Sequence, residues 1–274
     1  MNILQQTVRR LERLEALDKV ARPLARAVGR AVRPRVVRNL LSGTDLGHPL
    51  HPVLTDLPIG AWMMSALLAA ADLLVATGVA AAVPAGAAGL NDWSDTAGPQ
   101  TRVGLVHAAL NTTALSLYLA SLAARARGRR HGGKALSLAK LGVLTGGAYL
   151  GGHLSFGMGV NVNRTAWQQR PDQWTPVLAD SELADGQHRR ADAGGVPVLL
   201  YRTAGTVYAL DSTCSHMGGP LEEGTISDGC IICPWHGSTF RFDDGTIVRG
   251  PASTPEPCYQ TRIQDGRIEV RAVT

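Results

Sequence analysis

Charge is missing from three long stretches of this 274-residue chain. Residues 57–90 contain one charged side chain, Asp72; residues 103–124 contain none; residues 135–160 contain only Lys140. A bilayer core of about 30 Å takes a helix of about 20 apolar residues, so these gaps argue against a fully soluble protein. A cleavable secretory signal is also not expected. Residues 1–41 carry charge throughout and hold no short apolar core followed by a small-residue cleavage site. Arg9-Arg10 has no apolar run behind it and reads poorly as an export signal. There is no global basic surface either, although the net charge is +5. Residues 1–38 hold ten Lys/Arg against three acids, and residues 161–274 hold ten against fourteen. A nucleic-acid partner is therefore not expected.

Four pieces follow from this patterning. Residues 1–46 read as a basic amphipathic arm, with Leu4, Val8, Leu11 and Leu14 on one stripe and helix breaks expected at Pro23 and Pro34. Such an arm suits an anionic membrane surface, and equally a solvated or partner-binding helix. Residues 47–160 read as a transmembrane bundle of about four helices. One helix over 57–90 would run about 50 Å, too long for a single crossing, so a tight turn is expected near Thr77-Gly78. Residues 161–173 are the expected linker. Residues 174–274 carry short β-rich runs such as VPVLLYR, TVYALD, CIIC and RIEVRA between Asp-Gly and Ala-Gly turns, the pattern of a small antiparallel β domain.

The chemistry concentrates in that last piece. Cys214-Ser-His216 is followed, after sixteen residues, by Cys233-Pro-Trp-His236. Two thiolates and two imidazoles could hold a tetrahedral zinc ion. Each pair, however, mixes one Cys with one His and precedes a glycine turn. A cluster with one Cys₂ iron and one His₂ iron needs that mixture, each loop giving one ligand to each iron.

CSHMGGPLEEG and CPWHGSTF resemble the two ligand loops of a Rieske [2Fe-2S] domain, over about residues 174–272. The resemblance implies that Cys214 and Cys233 hold the buried iron and that His216 and His236 hold the iron nearest the surface. Pro220 and Ser238 would support the loops, Ser238 as a donor to a sulfur. Quinol-oxidising members of the family usually brace the cluster with a disulfide whose places are Gly219 and Trp235 here, so the ferredoxin-like branch is the closer match. Cys230 and Cys258 occupy neither place and are expected as free buried thiols. Phe240 stands where a high-potential protein would place a tyrosine hydroxyl, which implies a lower potential. After Ser238 no histidine follows, so no terminal-oxygenase iron site is expected.

The bundle has its own candidates: His48 and His51 in HPLHP, Asp56, Asp92, Asp95, His107 and His153. With four crossings, all of these fall at one membrane face, together with the entrance to the β domain. Residues 47–160 resemble a bacterial family of small four-helix membrane domains through HPLHP, LPIGAW, GLNDWSD and GGHL, a resemblance that supplies a fold and no activity. His48, His51, His107 and His153 could ligate haem b or another metal; they could equally cap helices and hydrogen-bond across the bundle.

Basic segments fall on both faces of a four-helix model. The absence of disulfide cysteines and of an export signal favours a cytoplasmic β domain in a multi-pass cell-membrane protein. The leading expectation is a membrane-anchored Rieske protein that transfers single electrons to or from a redox partner protein. The alternatives are a quinone-linked oxidoreductase subunit with haem or quinone in the bundle, and a membrane redox sensor.

Overall fold

The charge-poor stretches are helical and the alternating ones are strands. The structure, a computed structural model, describes residues 3–65, 71–128 and 130–273. It comprises two units: Met1–Ser42 with Pro49–Val160, and Gly43–His48 with Asn161–Thr274.

The first unit is helical: α1 (Ile3–Arg13), α2 (Asp18–Ala31), α3 (Arg35–Ser42), α4 (Leu50–Ser65), α5 (Ala71–Trp93), α6 (Pro99–Ala126) and α7 (Arg130–Gly152). Two stretches, Asp72–Trp93 and Pro99–Ala126, are long and apolar enough to cross a membrane. Residues 57–90 do form two helices, but Thr77 and Gly78 lie inside α5. Gly78 is there for close approach: a Cβ on it would fall 2.2 Å from the Trp62 indole nitrogen. α4 is described to Ser65 and α5 from Ala71; residues 66–70 lie outside the described residues. Pro23, expected to end a helix, lies within α2, whereas α3 does begin directly after Pro34.

The arm spends its apolar stripe inside this unit. Val8 is buried with Val103 and Leu150, and Ala21 and Ala25 are buried against Trp93. Arg102, at the start of α6, ties the arm down. Its guanidinium donates to both Asp18 carboxylate oxygens at 2.8 Å and to the Glu12 carbonyl at 2.6 Å. The hydrogen bond from Arg102 holds the Asp18 carboxyl down from its ordinary 3.8 to about 2, with Arg22 adding to the effect. A carboxylate depressed in the folded state stabilises it fully above the unfolded value and stops doing so as pH falls through the folded one. The grip of α1–α2 on α6 is therefore expected to weaken between about pH 4 and pH 2. Asp18→Asn should release the arm at neutral pH. Amide exchange over residues 3–31 tests this, and protection that is unchanged in the variant would contradict it.

The second unit holds two antiparallel sheets. The larger runs β1 (Thr175–Ala179), β10 (Arg267–Ala272), β9 (Cys258–Gln264), β4 (Thr206–Asp211), β3 (Pro197–Thr203) and β2 (His188–Asp192). The smaller runs β5 (Thr225–Ser227), β6 (Cys230–Ile232), β7 (Thr239–Arg241) and β8 (Ile247–Arg249). Strand alternation sends β3 side chains to opposite faces. Val198 and Leu200 join one core with Ile268 and Val270; Leu199 joins the other with Leu210, Ile231, Phe240 and both Cys214 and Cys233. Two flanking segments also belong here. Thr44 donates its hydroxyl to the Ala252 carbonyl, and Arg164, in the stretch read as linker, donates its backbone N–H to Ser215.

Candidate metal centre

Two loops with the same backbone pattern carry the Cys/His pairs. In the first, between β4 and β5, the Cys214 N–H donates to the Gly219 carbonyl at 2.8 Å and the Gly218 N–H donates back to the Cys214 carbonyl at 2.9 Å. In the second, between β6 and β7, Cys233 N–H donates to Ser238 at 2.8 Å and Gly237 N–H to Cys233 at 3.1 Å. Each turn passes through a glycine in the left-handed region, Gly218 at φ +81° and Gly237 at φ +73°, where a side chain is disfavoured. The loops bring all four expected residues together. Cys214 and Cys233 are buried in the core beneath, and the His216 and His236 rings stand 5.1 Å apart at 90°. His216 is buried while His236 is half-buried beside the exposed Trp235.

The two thiols hydrogen-bond to each other, and that contact splits their titration. It holds Cys233 down, helped by the backbone N–H groups of Trp235 and His236. The same contact, together with burial, pushes Cys214 up, against the N–H of His216. Both sulfurs must be deprotonated to bind iron. Three N–H groups aimed at the sulfurs are also the means by which a protein sets a cluster's potential. Ser238 is fully buried, and its hydroxyl accepts the Ala252 N–H at 3.0 Å, which leaves the hydroxyl proton to donate. Pro220 bridges to Thr213 at the base of the first loop. Phe240 is fully buried. All four cysteines are free of disulfides.

The bundle histidines separate. His51 and His107 meet, with ring centroids 6.3 Å apart and planes at 89°. His153 instead pairs with Glu12, Nε2 to Oε1 3.0 Å. His48 is exposed in the segment 43–48. Of the acids, Asp56 is exposed, Asp92 accepts from Asn91, and Asp95 pairs with the buried Arg38.

Residues 173–260 match the family model described as Rieske [2Fe-2S] domain. The ferredoxin CarAc of Metapseudomonas resinovorans is 32% identical over 98 residues, which cover 35% of this chain and 92% of that protein. The chain belongs to the Rieske [2Fe-2S] family. The anthranilate 1,2-dioxygenase ferredoxin subunit of Burkholderia cepacia is 32% identical over 98 residues, covering 36% of this chain and 91% of that protein. A solved complex of reduced oxygenase and oxidized ferredoxin in carbazole 1,9a-dioxygenase contains a chain 29% identical, covering 38% of this chain and 98% of that one, with TM-score 0.35. Residues 47–164 match a second family, described as Predicted membrane protein (DUF2231).

A Rieske domain implies a [2Fe-2S] cluster, and the donor set fits one: two thiols in contact below, two imidazoles above. One contributor escaped the sequence reading. Glu256 is fully buried, and its Oε2 accepts the N–H of Ser215, between Cys214 and His216, at 2.9 Å. Burial pushes its carboxyl well up. An isolated acid between prolines, PEP, carries no periodicity or spacing that would single it out.

Proposed function

We propose that the chain is a membrane-anchored one-electron carrier in which Cys214, Cys233, His216 and His236 hold a [2Fe-2S] cluster. The observation that carries this is the pair of matched loops, each delivering one thiol to the core and one imidazole above it. When bound, the cluster supplies a centre that accepts and releases single electrons. The thiolates would hold the inner iron and the imidazoles the outer one. Backbone N–H groups of His216, Trp235 and His236, with the Ser238 hydroxyl, would set how strongly added negative charge is stabilised. Phe240 offers no further donor, which favours a lower potential than a tyrosine would. His236 and the exposed Trp235 form the edge open to a redox partner protein. One ferredoxin relative belongs by name to a dioxygenase, anthranilate 1,2-dioxygenase, which makes an oxygenase-type acceptor the first partner to try.

The division would run as arm 1–46, four-helix multi-pass membrane domain 47–160, connecting segment 161–173 and cluster domain 174–274, with the cluster domain cytoplasmic. Membranes from cells expressing the full chain test the anchoring. The reduced cluster signal should stay in the pellet through a high-salt wash and leave only with detergent. A signal found in the soluble fraction would contradict the reading. A second reading, a quinone-linked oxidoreductase subunit with haem in the bundle, is favoured by the meeting of His51 and His107.

A further inference from the structure

The helical unit repeats itself. His51 and Trp62 on α4 stand 56 positions before His107 and Tyr118 on α6. The residues they meet on α5 stand 62 positions before their counterparts on α7. His51 sends ring Nδ1 to the Ala85 carbonyl at 2.8 Å, and His107 sends Nδ1 to the Gly147 carbonyl at 2.8 Å. One helical turn on, each ring lies against a glycine. A Cβ on Gly89 would fall 2.7 Å from His51 Cε1, and one on Gly151 would fall 2.9 Å from His107 Cε1. Further down, Trp62 lies against Gly78, Lys140 Nζ lies 4.6 Å over the Tyr118 ring, and the Trp62 and Tyr118 rings stack at 4.1 Å. Two helical hairpins, α4–α5 and α6–α7, thus present equivalent residues to one another.

The chemistry of the paired histidines is set by those hydrogen bonds. A carbonyl only accepts, so each Nδ1 carries the proton, and in the neutral ring each Nε2 keeps a lone pair. Asn111 Nδ2 lies 3.3 and 3.2 Å from the two ring nitrogens of His107. Being nearly equidistant, it sits over the ring and not along the Nε2 lone pair. A quinone asks its site for N–H donors, and both Nδ1–H groups are already used. A lone pair asks for a metal. Among the described residues no third His, Cys, Asp or Glu joins this pair to hold an ion by protein ligands alone. A metal that brings its own four equatorial nitrogens needs only two, one on each face. With metal–nitrogen bonds of about 2.0 Å, two imidazoles trans on one metal place their ring centroids about 6 Å apart. The observed separation is 6.3 Å.

We infer that His51 and His107 are the two axial ligands of one iron tetrapyrrole, a b-type haem bound on the pseudo-two-fold axis of the bundle. Each glycine leaves room for its imidazole, and each carbonyl fixes the tautomer and ring orientation that ligation needs. The inference deepens the second reading of the helical unit and stands apart from the cluster loops, so either can fail alone.

The test uses the detergent-purified full chain. The absorption spectrum and haem content are measured as purified and during titration with haemin, with the cluster signal recorded on the same sample. The expected result is one haem per chain with a low-spin, six-coordinate spectrum. His51→Ala and His107→Ala should each abolish the low-spin form, and added imidazole should restore it in both. His48→Ala and His153→Ala should leave it unchanged. Absence of haem together with no 1:1 uptake of haemin would overturn the inference. So would a low-spin spectrum that survives both His51→Ala and His107→Ala, or loss of that spectrum in His153→Ala alone.

Discussion

His216→Ala is expected to remove the reduced cluster signal completely, because on the proposed ligation the outer iron would lose one of its two imidazoles while the buried thiols remain. The substitution sits in a loop held by backbone bonds of Cys214, Gly218 and Gly219, so the sheets beneath should survive it. Far-ultraviolet dichroism should stay near that of the parent while the cluster's visible bands vanish. His216→Cys is the informative companion. A thiolate adds negative charge to the outer iron. Clusters ligated only by thiolate sit near −400 mV, against about −150 to +300 mV for the mixed-ligand type. Any cluster that His216→Cys retains should therefore show a potential lower by on the order of 100 mV. An unchanged spectrum and potential in either variant would mean that His216 is not a ligand.

Gly245→Ala should be the most damaging single methyl in the β unit. The residue lies at φ +72°, and a Cβ there would fall 1.9 Å from the Glu256 carbonyl oxygen. A left-handed non-glycine residue costs about 1–2 kcal/mol, and forcing a backbone shift to relieve the overlap adds about 1–3 kcal/mol. Gly266→Ala supplies the comparison, with φ also +72° but nothing within 4 Å. It should show the first cost only. Gly245→Ala should lower the thermal midpoint by roughly 10 °C or more, and Gly266→Ala by clearly less. The shift also reaches the metal centre, since the Glu256 N–H donates to the Gly245 carbonyl and the Glu256 carboxyl holds the Ser215 N–H. Faster cluster loss in Gly245→Ala than in Gly266→Ala is expected. Equal midpoints in the two variants would contradict this account of the turn.

The two Cys/His loops were legible because their pattern is local: two residue types, two short spacings and two glycine turns state it within about 25 residues. The inner strands were legible for the same reason, as in VPVLLYR, where apolar side chains supply two cores. The strands that escaped, β1, β2 and β5, are all edge strands. β2 reads HRRAD, the charged composition that keeps a sheet edge from pairing further, and it therefore carries no apolar alternation. Gly78 misled in the opposite sense. A glycine in an apolar run reads as a turn, yet here it admits the Trp62 indole within a continuous helix. Pro23 was read as a break and is accommodated inside α2. That the bundle histidines gather at one face was expected from the crossings; which two of the four meet, His51 and His107, was hidden. The two hairpins share few identities, and their repeat appears only as equal spacings once the partners on α5 and α7 are known. Glu256 is a long-range support whose partner, Ser215, lies 41 residues away, a distance that no local pattern encodes.

The central claim is tested most directly by a potential-controlled reductive titration of the purified full chain, followed by electron paramagnetic resonance, with non-haem iron and zinc counted on the same sample. The account predicts two non-haem irons per chain, no stoichiometric zinc, and uptake of one electron per iron pair into a centre whose signal shows nitrogen ligation. One zinc per chain, or an iron centre with thiolate ligands alone, would contradict it.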